Sequence, residues 1–243
     1  MAVRSMRLVL PAVVLVLGGC GFQVNIGAPS DADVLAAVSL TADDAAQSAL
    51  FQPYDGGDQV VGQTSLDLCD ADFPSEALRV GRNQVGIGRV TAAEWVSSEA
   101  ILYPGPAQAE QAMSELARAA ATCPESPVTR GADDPGRTWS FAAAPDAGWP
   151  TEPGVQRQAY AFTVTEADGS TRQATAIYLQ RDRMVLALYS SPPDAASAVV
   201  RNSPDAQRFA EVMTRRLLAV PGQSLQSGAA QPPQSSDGSG FDT

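Results

Sequence analysis

The chain has 243 residues, no histidine, no lysine and a formal net charge of −11. Without histidine, no Ser-His-Asp triad, Cys-His pair or histidine-ligated zinc site can be built. The acidic excess argues against nucleic-acid binding and against attachment to anionic lipid by charge alone, since both need a basic patch.

Residues 1–19 read as a secretory signal. Arg4 and Arg7 form a positive start, Leu8 to Leu17 an apolar stretch broken by Pro11, and Gly18-Gly19 a small-residue cleavage point. The apolar stretch is shorter than the ~20 residues a permanent spanning helix needs. The border Leu17-Gly18-Gly19-Cys20 resembles a bacterial lipobox, a branched apolar residue and two small ones before a cysteine. In lipoproteins of that kind the cysteine thiol takes a diacylglycerol and the signal is cut just before it. Cys20 is therefore the expected lipid attachment, the membrane an expected partner, and the extracytoplasmic face of the cell membrane the expected location. Cleavage there removes two arginines and no acid, so the mature chain is more acidic still.

Lipidation of Cys20 leaves Cys69 and Cys123 as an even pair in an oxidising compartment. A Cys69–Cys123 disulfide is expected, worth roughly 4 kcal/mol in the chain-entropy model. The alternative, a two-thiolate metal site, would lack further Cys or His ligands.

Residues 20–38 read as lipidated N-terminus and tether. Ser39 to Phe51 then predicts a helix, with Thr41 as N-cap and Asp43-Asp44 in its first turn. Pro74 to Leu78 predicts a short helical turn. Arg82 to Val90 and Trp95 to Tyr103 predict an antiparallel pair turning near Thr91-Ala92-Ala93. Pro106 opens a helix running to about Thr122, with Ala109, Met113, Leu116 and Ala120 as its apolar face. Arg137 to Phe141 is a short strand, followed by a Pro/Gly loop from Pro145 to Gly154. Gln156–Val164, Thr175–Gln180 and Met184–Tyr189 form a meander, with Asp168-Gly169 as hairpin signal. A last helix starts near Ser203-Pro204-Asp205, striped by Phe209, Val212, Met213, Leu217 and Val220. From Gly222 the composition turns to Gly, Ser, Gln and Pro, which predicts a disordered tail over 222–243. The expected fold is α+β: a mostly antiparallel sheet of about five or six strands with packed helices and one disulfide, over residues 39–221.

That order, with Leu66-Asp-Leu-Cys69, Phe73-Pro-Ser-Glu-Ala, Val96-Ser-Ser-Glu-Ala-Ile-Leu-Tyr103 and the alanine-rich helix ending Cys123-Pro124, resembles the extracellular sensor-type domain of actinobacterial receptor Ser/Thr kinases of the PknH kind. The domain also occurs free-standing in actinobacterial lipoproteins. The resemblance covers about residues 39–220. It implies a helix-flanked antiparallel sheet with a groove that binds an envelope ligand or partner. The kinase domain carries two disulfides and this sequence can form one, which departs from the family pattern where the groove geometry is concerned.

No catalytic set, cofactor or metal is expected. Gly86-Ile-Gly88 lacks the third glycine of a dinucleotide loop and reads as glycines easing close packing. Asp43-Asp44 reads as helix-start chemistry and Asp133-Asp134 as a solvated loop, with no EF-hand spacing. Trp149, in its Pro/Gly loop, is the leading candidate for ligand contact, followed by Trp139 and Tyr160, which fit an ordinary sheet-face core better than a ligand contact. The expected function is that of a membrane-anchored, non-catalytic sensor-like domain with an unknown envelope ligand or protein partner. The alternative is a structural or assembly factor of the envelope.

Overall fold

The computed structural model describes residues 29–45, 49–69, 71–89, 95–122, 138–143, 152–165, 168–191 and 204–226. The signal segment, Cys20, Cys123, Asp133-Asp134, Trp149 and the turn at 91–93 lie outside them.

Helix α1 spans Asp31–Val38 and strand β1 Ala49–Pro53; β2, β3 and helix α2 are Gly81–Arg89, Trp95–Leu102 and Pro106–Thr122. Strands β4, β5, β6 and β7 follow at Thr138–Ala143, Gln156–Thr165, Thr171–Arg181 and Met184–Ser191, then helices α3 (Pro204–Ala219) and α4 (Gly222–Gln226). Among the described residues the sheet has seven strands in the order β1-β2-β3-β7-β6-β5-β4, and every pair is antiparallel. The last strand lies at the centre and joins a three-stranded and a four-stranded meander.

The period of two along each strand divides the core between the two faces. Val85, Ile87, Val96, Leu102, Leu179, Leu186 and Leu188 point to one face, under Val34, Leu35 and Val38 of α1 and Phe209, Met213 and Leu217 of α3. Ile101, Tyr178, Val185, Ala187, Tyr160 and Phe162 point to the other, under Ala109, Met113 and Leu116 of α2. The α+β class therefore holds, with one strand more than expected.

Three expectations are corrected. The described residues between Ser39 and Phe51 are not the expected helix: Ala42–Asp44 make a single 3₁₀ turn, and the described chain resumes as β1. The tether is helical at its end: Ser30 caps α1, its hydroxyl accepting from Asp33 N–H at 3.2 Å, and Val38 is fully buried. The segment after Gly222 begins as α4, whose Leu225 is buried completely.

Candidate binding cleft

Residues 54–80 connect β1 to β2 across the α2 side of the sheet, with one 3₁₀ turn at Pro74–Leu78. A connection this long must satisfy its backbone polar groups outside regular structure. Charged side chains do that here. Arg82 on β2 and Glu99 on β3 lie on one face, only 1% exposed each, with Nε and Oε1 2.6 Å apart. Arg82 also donates to the carbonyls of Gly56 (3.2 Å) and Gln59 (3.1 Å) and to Gln84 Oε1 (2.9 Å). Ser65 Oγ donates to Glu99 and accepts from Arg79 Nη1. Arg79 further donates to the carbonyls of Val60 (2.9 Å), Gln63 (2.6 Å) and Glu76 (2.8 Å). Glu76 closes the arrangement, accepting from the N–H groups of Ser65 and Leu66 at 3.0 and 2.8 Å and pairing with Arg79 at 3.0 Å. The Tyr189 hydroxyl holds the Ser65 carbonyl at 2.9 Å.

Burial pushes Glu99 above the ordinary glutamate value, against the Arg82 and Ser65 hydrogen bonds and the charges of Arg82 and Arg79. A raised carboxylate is a frequent mark of a catalytic acid. This one is sealed beneath the loop with Oε1 committed to the scaffold, and Oε2 is buried without a hydrogen-bond partner among the described residues. Its role here is to hold the loop.

The pinned loop encloses a cleft of about 690 Å³. One wall is Val60 to Thr64 with Leu66; the other is Ala71, Asp72, Phe73, Glu76, Ala77 and Arg79. Gly62, at φ 77°, makes the left-handed turn at the lip. A second depression of about 330 Å³ lies between α1 and the same loop, sharing Val60 with the first. Among the described residues, no three Cys, Asp or Glu side chains come together as a metal-ligand set.

Of the expected contact residues, Trp149 lies outside the described residues, and Tyr160 and Trp139 do not line this cleft. Tyr160 is buried in the second core cluster, and its hydroxyl donates to Gln158 Oε1 at 2.5 Å. Trp139 lies on β4 opposite Val164, at the far end of the sheet from β1. Gly86 and Gly88 do ease packing: the Trp95 indole lies on them, and a Cβ at Gly86 would come within 2.1 Å of the ring. The loop-holding residues Glu76, Arg79, Arg82 and Glu99 were not among the expected site residues. The available signal was a single carboxylate within the apolar strand Trp95–Leu102.

No protein-family model matches the chain, and no curated protein matches it. Among solved structures, the extracellular domain of PknH from Mycobacterium tuberculosis matches with TM-score 0.49 and 14% identity, over 76% of this chain and 94% of that one. The chain is similar to that domain. An uncharacterised protein from Mycobacterium smegmatis matches with TM-score 0.39 and 10% identity, over 77% of this chain and 96% of that one. The family resemblance drawn from the sequence names the same kind of domain.

Proposed function

We propose that this protein is a lipid-anchored extracytoplasmic binding protein that takes an envelope ligand or partner into the cleft under residues 54–80 and performs no chemistry on it. The observation that carries this reading is the pinning of the cleft walls. Arg79, Arg82, Glu76 and Glu99 are spent on holding the loop in shape. A cleft built that way is preorganised, which lowers the ordering cost of binding. The anchor rests on the lipobox ending at Cys20. The Cys69–Cys123 bridge is part of the proposal. Cys69 packs against the same core cluster as Ala120 in the last turn of α2, just before Cys123, which supports it.

The test is capture of envelope components by the full-length protein purified from its own membrane, read by mass spectrometry. Ala77 is an exposed cleft-wall residue, so Ala77→Trp fills the space at little cost to the fold. The wild type should retain a bound species that Ala77→Trp loses. Equal retention, or none by either, would sink the reading.

A further inference from the structure

The cleft's surroundings point to the chemistry of its occupant. We infer that it is a basic, apolar peptide segment of a partner protein, with hydrophobic side chains seated on either side of Val60 and cationic groups facing Asp58 and Asp72. This rests on the cleft being a binding site and specifies what it binds.

The apolar part follows from the rim. Val61 is 90% exposed, and Val80 (46%) and Leu78 (37%) lie on the same loop. Large apolar side chains grouped around a concavity mark an interaction surface. Leu66 and Phe73 line the larger depression and Leu35 and Val80 the smaller, so the two offer separate apolar seats divided by Val60. An extended segment fills such seats with alternate or next-but-one side chains.

The basic part follows from what is left unpaired. Arg79 and Arg82 reach the walls, but Glu76 and Glu99 neutralise them and loop carbonyls occupy their other donors. Asp31, at the smaller depression, is paired to Arg183 at 2.5 Å. Asp72 in the larger depression and Asp58 in the smaller remain, on a chain of net charge −11. Free carboxylates beside apolar seats select a cationic partner and reject an anionic one. The same charge opposes direct seating on anionic lipid.

The test uses the full-length protein with three synthetic dodecapeptides: alternating leucine and arginine, leucine and glutamate, and serine and arginine. Vesicles of phosphatidylglycerol and of phosphatidylcholine are run beside them. Affinity is measured by fluorescence anisotropy, and the contact residues are mapped by amide chemical shifts. The leucine–arginine peptide should bind, weaken in high salt, and shift residues of the loop around Val60 to Thr64. Asp58→Asn with Asp72→Asn should weaken it about tenfold, Val61→Ser should also weaken it, and Glu211→Gln, exposed on α3, should change nothing. Equal binding of the leucine–glutamate or serine–arginine peptide, or indifference to the Asp58/Asp72 change while Ala77→Trp abolishes binding, would overturn this inference and leave the cleft reading standing. Peptide binding untouched by Ala77→Trp would overturn both. Vesicle binding without peptide binding would assign the rim to the membrane.

Discussion

Arg82 and Glu99 show what a single buried pair does for a long loop. Neither charge reaches solvent, and each also holds the loop: Arg82 through the carbonyls of Gly56 and Gln59, Glu99 through the Ser65 hydroxyl. A buried pair adds little net stability over an apolar one, but removing one member strands the other. Arg82→Met should therefore cost about 3–5 kcal/mol at neutral pH, and adding Glu99→Leu should restore much of it. The pH dependence identifies the cause. Glu99 already titrates above 4.5 because it is buried, and losing Arg82 removes a force that lowers it. A raised carboxylate contributes stability that is full below its unfolded value and lost as pH rises through its folded one. Arg82→Met should thus regain stability between pH 7 and about pH 5, while the double variant should not. Urea unfolding at the two pH values decides this; an equal deficit at both would deny Glu99 the charge assigned to it. The pair was hidden in the sequence because the arginine and the glutamate meet only when β2 and β3 register.

At the scale of elements, residues 39–51 show a local signal obeyed and then overruled. Thr41 stands at the N-cap as expected, but its hydroxyl donates instead of accepting: Asp44 takes the Thr41 N–H at 2.7 Å and its hydroxyl at 2.9 Å. The helix stops after one 3₁₀ turn, with Ala45 extended at ψ 146°. Two arginines of α3 fix that turn. Arg216 grips both Asp44 oxygens, at 2.8 and 2.9 Å, and Arg208 takes the Asp44 carbonyl at 2.8 Å. Pairing of Ala49–Pro53 with Val85–Arg89 then makes a strand of residues with no clean alternation. By contrast β2, β3, α2 and the β5–β7 meander carry strong periodicity, and each lies within a few residues of its expected span. Helix α1 escaped notice because it is short, although Ser30 and Asp33 spell its capping box. Burial pushes the Asp44 carboxyl up, but the Thr41 and Arg216 contacts outweigh it and hold it below 3.8. A depressed carboxylate contributes stability present above its unfolded value and lost as pH falls through the folded one. Asp44→Asn should lower the melting temperature near neutral pH, with the gap from wild type closing below about pH 4. Thermal melts across the acid range measure it, and a constant gap would contradict the ion-pair assignment.

At the scale of the molecule, the α+β class was legible because it follows from element types alone. Strand order was not. Placing β7 between β3 and β6 pairs Trp95 with Ser191 and Leu102 with Met184, contacts decided by sheet packing on both faces and not by any local pattern. The ends of the domain were also illegible, since they depend on one side chain. Arg183, 2% exposed in the β6–β7 turn, pairs with Asp31 of α1 at 2.5 Å and donates to the carbonyls of Tyr103 (3.3 Å) and of Ser224 in α4 (3.2 Å). Its N–H meets the Leu225 carbonyl at 3.3 Å. The first and last helices are thus fastened to one hairpin, and α1 also borders the depression shared with Val60. In the proposed lipid-anchored form, the eleven residue steps from Cys20 to Asp31 reach at most about 40 Å, which would keep the cleft close to the membrane. Leu225→Ala should cost about 2–4 kcal/mol through the emptied seat and the loosened α4. Once α4 loosens, Asp31 becomes the main remaining partner of the Arg183 guanidinium. Asp31→Asn should therefore cost more in the Leu225→Ala background than alone, by about 0.5–3 kcal/mol. A double-mutant cycle by urea unfolding measures this coupling. Additive costs would mean that the two ends are held independently and that Arg183 is not their common latch.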